Sequence, residues 1–494
     1  MLQVRCRTWA AVAAAAGFCG FGGFAAAAEP TQQELVGQIR ALSAKVKQLE
    51  ESSQRRDAQP GPQARQPAGA GEVAGGAGGA SGGAGEATVG SVLRDAELRS
   101  NPQLLQAGDF TAGYSKGKFL IQDAKGDFVL NPNFQFQARY LFNNRDSARA
   151  DGGGDSVSQD GFEIRRMKFI FDGNLFGPDL TYKFQWTTSR TTGGPTLEDA
   201  WGRLALGRLW GEGFKDFAIR FGQFKDPWNH EEITSSKRQL AVERSLLNEA
   251  LGGQLTKYIQ GVSFIWDDGA EGLPLRAEIG YSDGPKTSNT NFTNTGGGLP
   301  ATFPGEQNPQ WGAFGRVEYL AMGNWKQYDD FTALGNTETL LAFGAGASYA
   351  EVTVSDILFH TVDVQYETGP LGLYAAYVGL YNEPKGAVVQ SGGVYDKGFL
   401  VQAGYMLNEK WEVFGRYDQV MLDSDRLAAG AEDSFPEITV GVNYYLHGHA
   451  AKFTVDGVFA PNGVPTGDFS QTGLLDPDGD ESQFVIRTQF QILL

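Results

Sequence analysis

The chain has 494 residues, 12% of them aromatic and 41% hydrophobic, and beyond residue 28 it holds no apolar run of about 18 residues, which excludes a transmembrane helix. Its formal charge is −17, with +1 contributed by residues 1–117 and −18 by the remaining 377; this acidic balance argues against nucleic acid as a partner. The two cysteines, Cys6 and Cys19, both precede residue 28, so the rest of the chain has neither disulfide staples nor thiolate metal sites.

The first segment reads as a secretory signal peptide over 1–28. Arg5 and Arg7 precede an apolar stretch from Trp9 to Phe24, and Ala26-Ala27-Ala28 supply the small residues of a cleavage site. Residues 29–51 predict a short coiled-coil helix: Leu35, Ile39, Leu42, Val46 and Leu49 recur every three or four residues. So short a seam needs an already oligomeric body to bring its copies together. Residues 52–90, rich in Gly, Ala and Pro, cannot bury a core and predict a flexible linker. Residues 91–127 are transitional, with a short strand expected at Lys118–Asp123.

From 128 to 494 the hydrophobic period changes to two. Phe134, Phe136, Ala138, Tyr140 and Phe142 alternate with Gln135, Gln137 and Arg139; Tyr182, Phe184 and Trp186 alternate with Lys183 and Gln185. Sixteen such strands are expected, near 128–142, 161–173, 180–189, 196–207, 216–224, 259–267, 273–282, 311–320, 338–350, 358–368, 371–382, 397–407, 411–421, 435–446, 450–460 and 482–494. A soluble sandwich alternates in the same way. The connections discriminate: long ones (143–160, 225–258, 283–310) mostly alternate with short ones (174–179, 268–272, 369–370). That rhythm suits a 16-stranded antiparallel transmembrane β-barrel of the outer membrane, an all-β fold around a water-filled pore. It breaks at 321–337, which should be short, and at 351–357, which should be long.

No residue set points to an enzyme, a cofactor or a metal. His230, His360, His447 and His449 have no ligand spacing, and no Ser–His constellation stands out. If the apolar partners face lipid, Arg139, Lys183, Arg203, Arg220, Arg276, Arg316, Arg416 and Arg487 point into the lumen with Glu278, Glu318, Glu412 and Asp418. That is a mixed interior with a basic excess, and arginine suits oxyanions because its planar fork binds two oxygens. The loop 225–258 is long enough to be functional. Its apolar Leu240, Val242, Leu246 and Leu247 predict a packed, partly helical segment. Folded inward, it would bring Ser235, Ser236, Lys237 and Arg244 to the ion path.

The ordered set Gly161-Phe162-Glu163-Ile164-Arg165-Arg166, Asp179-Leu180-Thr181-Tyr182-Lys183, Leu197-Glu198-Asp199-Ala200, Arg220-Phe221-Gly222-Gln223-Phe224-Lys225, Thr234-Ser235-Ser236 and Glu243-Arg244 resembles the phosphate-selective porin O and P family. The resemblance implies a trimeric sixteen-stranded porin whose third loop folds inward, with basic residues guiding phosphate or polyphosphate to a narrow site. Carried over, Arg139, Arg165, Arg166, Ser235, Ser236 and Arg244 are the candidates, with Lys183 more loosely placed. The register of the strands adds Arg220, and the loop adds Lys237. Glu231 and Glu232 depart from the family pattern, standing where a lysine is expected; unpaired, they would repel phosphate. Arg165 and Arg166 are adjacent, so a regular strand would turn one of them outward; a bulge, or placement at the headgroup level, would resolve that. The expected partners are outer-membrane lipid, small anions or other small solutes, two further copies of the chain, and a periplasmic or cell-wall contact through 31–51. The alternatives are a general or sugar-type pore and an envelope-tethering barrel.

Overall fold

The computed structural model describes residues 110–146, 156–266, 273–285, 309–385 and 392–494, apart from 116–117, 254, 337, 354 and 476–480. The expected signal peptide, helix and linker lie outside the described residues.

Sixteen strands form the barrel wall. In chain order they are β3 (Val129–Asp146), β4 (Ser156–Leu175), β5 (Leu180–Thr188), β6 (Pro195–Ala205), β7 (Phe217–Lys225), β8 (Tyr258–Trp266), β9 (Leu275–Ser282) and β10 (Pro309–Met322). They continue as β11 (Leu340–Val352), β12 (Ser355–Thr368), β13 (Leu371–Pro384), β14 (Val394–Met406), β15 (Trp411–Met421), β16 (Ser434–His447), β17 (Ala451–Ala460) and β18 (Gln483–Leu493). Each pairs antiparallel with its sequence neighbours, and β18 pairs with β3 from Gln483↔Arg145 to Leu493↔Gln135, which closes the ring. Closure leaves no open edge, the condition for a sheet in lipid. A hairpin precedes it, β1 (Phe110–Ser115) with β2 (Lys118–Asp123), and β2 joins β3 through Ile121↔Leu130 and Gln122↔Val129. The strand at Lys118–Asp123 was expected; its partner Phe110–Ser115 was not, because it lacks a clear alternation.

The wall alternates as the sequence demands. Phe169, Ile279, Tyr281, Val317, Phe343, Val362, Val440 and Phe484 are exposed on the outside, where lipid would cover them. Both breaks in loop rhythm are real. β11 ends at Val352 and β12 begins at Ser355, and the chain between β10 and β11 is elaborated around a short helix (Trp325–Tyr328) with an Asn324–Gln327 capping box. The strands flanking them sit where the alternation puts them.

The barrel is not open across its width. The loop 226–257 folds inward, with short helices at His230–Ile233 and Leu246–Asn248 capped by Asn229 and Ser245. Trp228, Leu240, Leu246, Leu247 and Leu251 pack on Ile357, Phe359, Val378, Leu400, Phe414, Val458 and Val485 in one continuous apolar cluster. Close approach is built into the wall by two glycines. A side chain at Gly346 would meet the Trp228 carbonyl oxygen at 2.1 Å, and one at Gly398 would meet Leu247 at 2.3 Å. From the opposite rim, 323–339 reaches in to the same loop: Tyr328 stacks on His230 at 4.0 Å between ring centroids, and the Phe331 amide donates to the Arg238 carbonyl at 3.3 Å.

Candidate functional site

Among the described residues, a run of space large enough for solute lies on one side of the loop, against β3–β10. Three cavities follow one another there. The first, about 220 Å³, is lined by Arg165, Arg166, Lys168, Thr187, Thr188, Arg190, Glu198, Lys225, Ser236, Arg244, Lys257, Tyr258 and Gln471. The second, about 470 Å³, shares Lys168, Lys225 and Ser236 with it and adds Lys183, Asp199, Arg220, Ser235, Lys237, Arg238, Asp172 and Glu278. The third, about 440 Å³, shares Ser235, Arg238 and Glu278 with the second and continues to Arg276 and Asp329 in the elaborated turn. The shared residues join each cavity to the next.

Two bulges shape this wall. In β4, Gln137 pairs with Arg166 and Ala138 with Ile164, so Arg165 is the extra residue and both arginines turn inward. In β6, Gln185 pairs with Asp199 and Trp186 with Leu197, which leaves Glu198 as the extra residue. Glu198 and Asp199 therefore both face the lumen. Glu198 holds Lys168 at 2.6 Å, and Asp199 holds Lys183 at 2.9 Å.

The sequence-predicted residues separate into distinct roles. Arg139, Arg165 and Arg166 converge, but on a carboxylate of the chain itself. The Glu243 carboxylate lies 2.8 Å from Arg139 Nη1, 2.7 Å from Arg165 Nε and 2.6 Å from Arg166 Nη2. Burial alone would raise the Glu243 carboxyl; Arg165, Arg166 and Arg139 outweigh it and hold it well below the usual carboxylate range. Arg139 also binds Glu163 at 2.5 Å, and its side chain is fully buried. It lines none of the three cavities. Arg165 and Arg166 do reach the first. Arg244 donates to the carbonyls of Glu231, Glu232 and Thr234 at 2.8–3.0 Å and so holds the loop's first turn. Lys183, Ser235, Ser236 and Lys237 line the second cavity, Ser236 accepting from Gln135 at 3.0 Å. Arg220 lies over the Phe224 ring and pairs with Glu278.

Glu231 and Glu232 face away from the path. Glu231 accepts from the Ser245 amide and hydroxyl at 2.8 and 2.7 Å. Glu232 lies 3.4 Å from Arg244 and 3.8 Å from Lys225. Burial opposes its ionisation, yet Arg244, Lys257 and Lys225 prevail and push the carboxyl down to about 2. Both are buried among the loop's own residues, so the carboxylate that meets the arginines is Glu243. Lys168, Arg190 and Lys257 were not singled out from sequence. Lys168 had a legible signal, standing two residues after Arg166 on the same strand face; Lys257 and Arg190 come from loops, where parity gives none.

The basic excess expected of the lumen does not extend around the ring. Arg316 of β10 pairs with Glu318 beside it and with Asp363 of β12, and on the far wall Arg416 pairs with Glu437 and Asp418, and Arg487 with Asp456, all buried. Asp363, Glu437 and Asp456 supply the missing negative charge.

A closed sixteen-stranded barrel, apolar outside and narrowed by an inward-folded loop, is the architecture of an outer-membrane porin-type channel. Residues 134–378 match the profile of the family described as "Phosphate-selective porin O and P". An uncharacterised protein of Aquifex aeolicus (strain VF5) is 26% identical over 265 residues, covering 50% of this chain and 60% of that protein. The chain therefore spans under two thirds of the length of that curated relative. Among solved structures, the anion-selective porin from Comamonas acidovorans has a TM-score of 0.50 at 13% identity, covering 74% of this chain and 99% of that one. OmpF of Salmonella typhi, solved in complex with daunomycin, has a TM-score of 0.48 at 15% identity, covering 77% of this chain and 100% of that one.

Proposed function

We propose that the protein is a passive diffusion pore for small solutes with an anion preference, phosphate-class oxyanions among them, and that solute moves along the β3–β10 wall. One observation carries the reading. The first cavity is lined by Arg165, Arg166, Lys168, Arg190, Lys225, Arg244 and Lys257 against Glu198 among the described residues. Cations crowded in a low-dielectric constriction raise the local anion concentration and repel cations. The pore works as an exported outer-membrane homotrimer and as a channel rather than an enzyme, after removal of 1–28. A periplasmic or cell-wall contact through 31–51 belongs to the same reading.

In planar bilayers under a KCl gradient, the reversal potential is expected to lie toward chloride. A cation-leaning potential would overturn the anion preference and leave a general pore. That second reading draws on the second cavity, where Lys183–Asp199 and Arg220–Glu278 cancel locally. Liposome swelling in neutral sugars, at rates independent of solute charge, would favour it. An envelope-tethering role predicts that deleting 29–90 disturbs envelope attachment while conductance stays unchanged.

A further inference from the structure

We propose that Glu243 is a built-in anion occupying a three-arginine oxyanion site, and that this residue sets how strongly the pore binds phosphate. The proposal rests on the anion path described above and deepens it.

The donor arithmetic points this way. Glu243 Oε1 accepts from Arg139 Nη1 at 2.8 Å, Arg165 Nε at 2.7 Å and Arg166 Nη1 at 3.1 Å. Oε2 accepts from Arg165 Nη2 at 3.0 Å and Arg166 Nη2 at 2.6 Å. Those five donors exceed the roughly four lone-pair directions a carboxylate offers. A tetrahedral oxyanion, with more oxygens and more charge, matches the set better.

The arginines come from two strands, and the β4 bulge sets Arg165 and Arg166 side by side. The anion comes from the loop, with its backbone fixed by Arg416 Nη1 donating to the Glu243 carbonyl at 2.9 Å. Arg165 and Arg166 also line the first cavity, so a solute on the path reaches the same guanidinium groups. As the chain stands, an entering oxyanion must compete with a tethered carboxylate. Passing anions are attracted by the charge but not trapped by the forks.

The test is a titration of inorganic phosphate against chloride current through the full-length protein in planar bilayers. Replacing Glu243→Gln should lower the half-blocking phosphate concentration by about tenfold or more, since it frees charge-assisted donors of the three arginines. An unchanged or higher half-blocking concentration in conducting Glu243→Gln pores would overturn the proposal. Should that variant fail to insert, Glu243→Asp decides. It keeps the charge but draws the carboxylate back by one methylene, so it should still lower the half-blocking concentration, and no shift would overturn the proposal. A general change in pore charge cannot produce that result. If instead the unmodified pore leans toward cations, the anion-path reading fails on its own measurement, independently of how the variants respond to phosphate.

Discussion

The walls β11–β18 and β3–β10 share one alternating pattern, yet one wall is dry and the other wet. On the dry side the inward residues meet the loop: Ile357, Phe359 and Val485 are fully buried beside the sealed Arg487–Asp456 pair. On the wet side Lys183 keeps 30% of its side-chain surface and Arg276 keeps 28%. The difference lies in the loop, which is amphipathic across its width. It turns Leu240, Leu246 and Leu247 to one wall and Ser235, Lys237 and Arg238 to the other. A loop of this kind displaces the pore to one side of the barrel. The charges that count for permeation are then those of half the ring.

Breaking the dry side should have the largest effect. Trp228→Ala removes the ring that packs, tilted, 5.4 Å from the Phe359 ring between centroids. It should cost about 3–5 kcal/mol, as buried aromatic truncations do, and raise single-channel conductance as the loop loosens. Denaturant unfolding in detergent and single-channel recording check both.

A smaller, pH-dependent effect belongs to the loop's hinge. Asp226 accepts from Thr256 at 2.7 Å and Ser348 at 2.8 Å, tying both loop ends to β11. Burial raises its carboxyl from the ordinary 3.8 to about 6, against the two hydroxyl bonds. The fold thus favours the protonated form. That stabilisation is complete below about 3.8 and is lost as pH rises through about 6. The loop should be better anchored at acid pH than at neutral pH, and Asp226→Asn should abolish this dependence in limited proteolysis.

The smallest structural effect should come from the wet side. Lys183→Gln breaks a part-exposed pair with Asp199, worth about 1 kcal/mol or less to stability. It should still move the reversal potential toward cations. A large stability loss there would erase the distinction between the walls.

The barrel was largely legible in sequence because a lipid face forces strict alternation on every strand, and that signal repeats. All sixteen strands stand where the pattern put them, including those flanking the elaborated turn 323–339. The bulge was half legible: Arg165 next to Arg166 called for either a bulge or a place at the headgroup level, and the register shows the bulge. What alternation cannot report is the partner of an inward charge. Strand parity turned Arg139 to the lumen but could not show that Glu243, from a loop distant in sequence, would cover it. The same blindness made Glu231 and Glu232 look like pore charges, whereas local capping by Ser245 and pairing with Arg244 fold them away. The dry wall was hidden because inward Ile357, Phe359 and Val485 break the polar side of the alternation only where the loop lands.

Because residues 20–494 contain no cysteine, single cysteines can report directly on which half of the lumen conducts. The decisive measurement is block of single-channel current by a charged, membrane-impermeant thiol reagent. Lys183→Cys on the wet wall should be blocked rapidly, and Thr361→Cys, 2% exposed on the dry wall, should be indifferent. Rapid block at Thr361→Cys, or none at Lys183→Cys, would contradict a pore confined to the β3–β10 side.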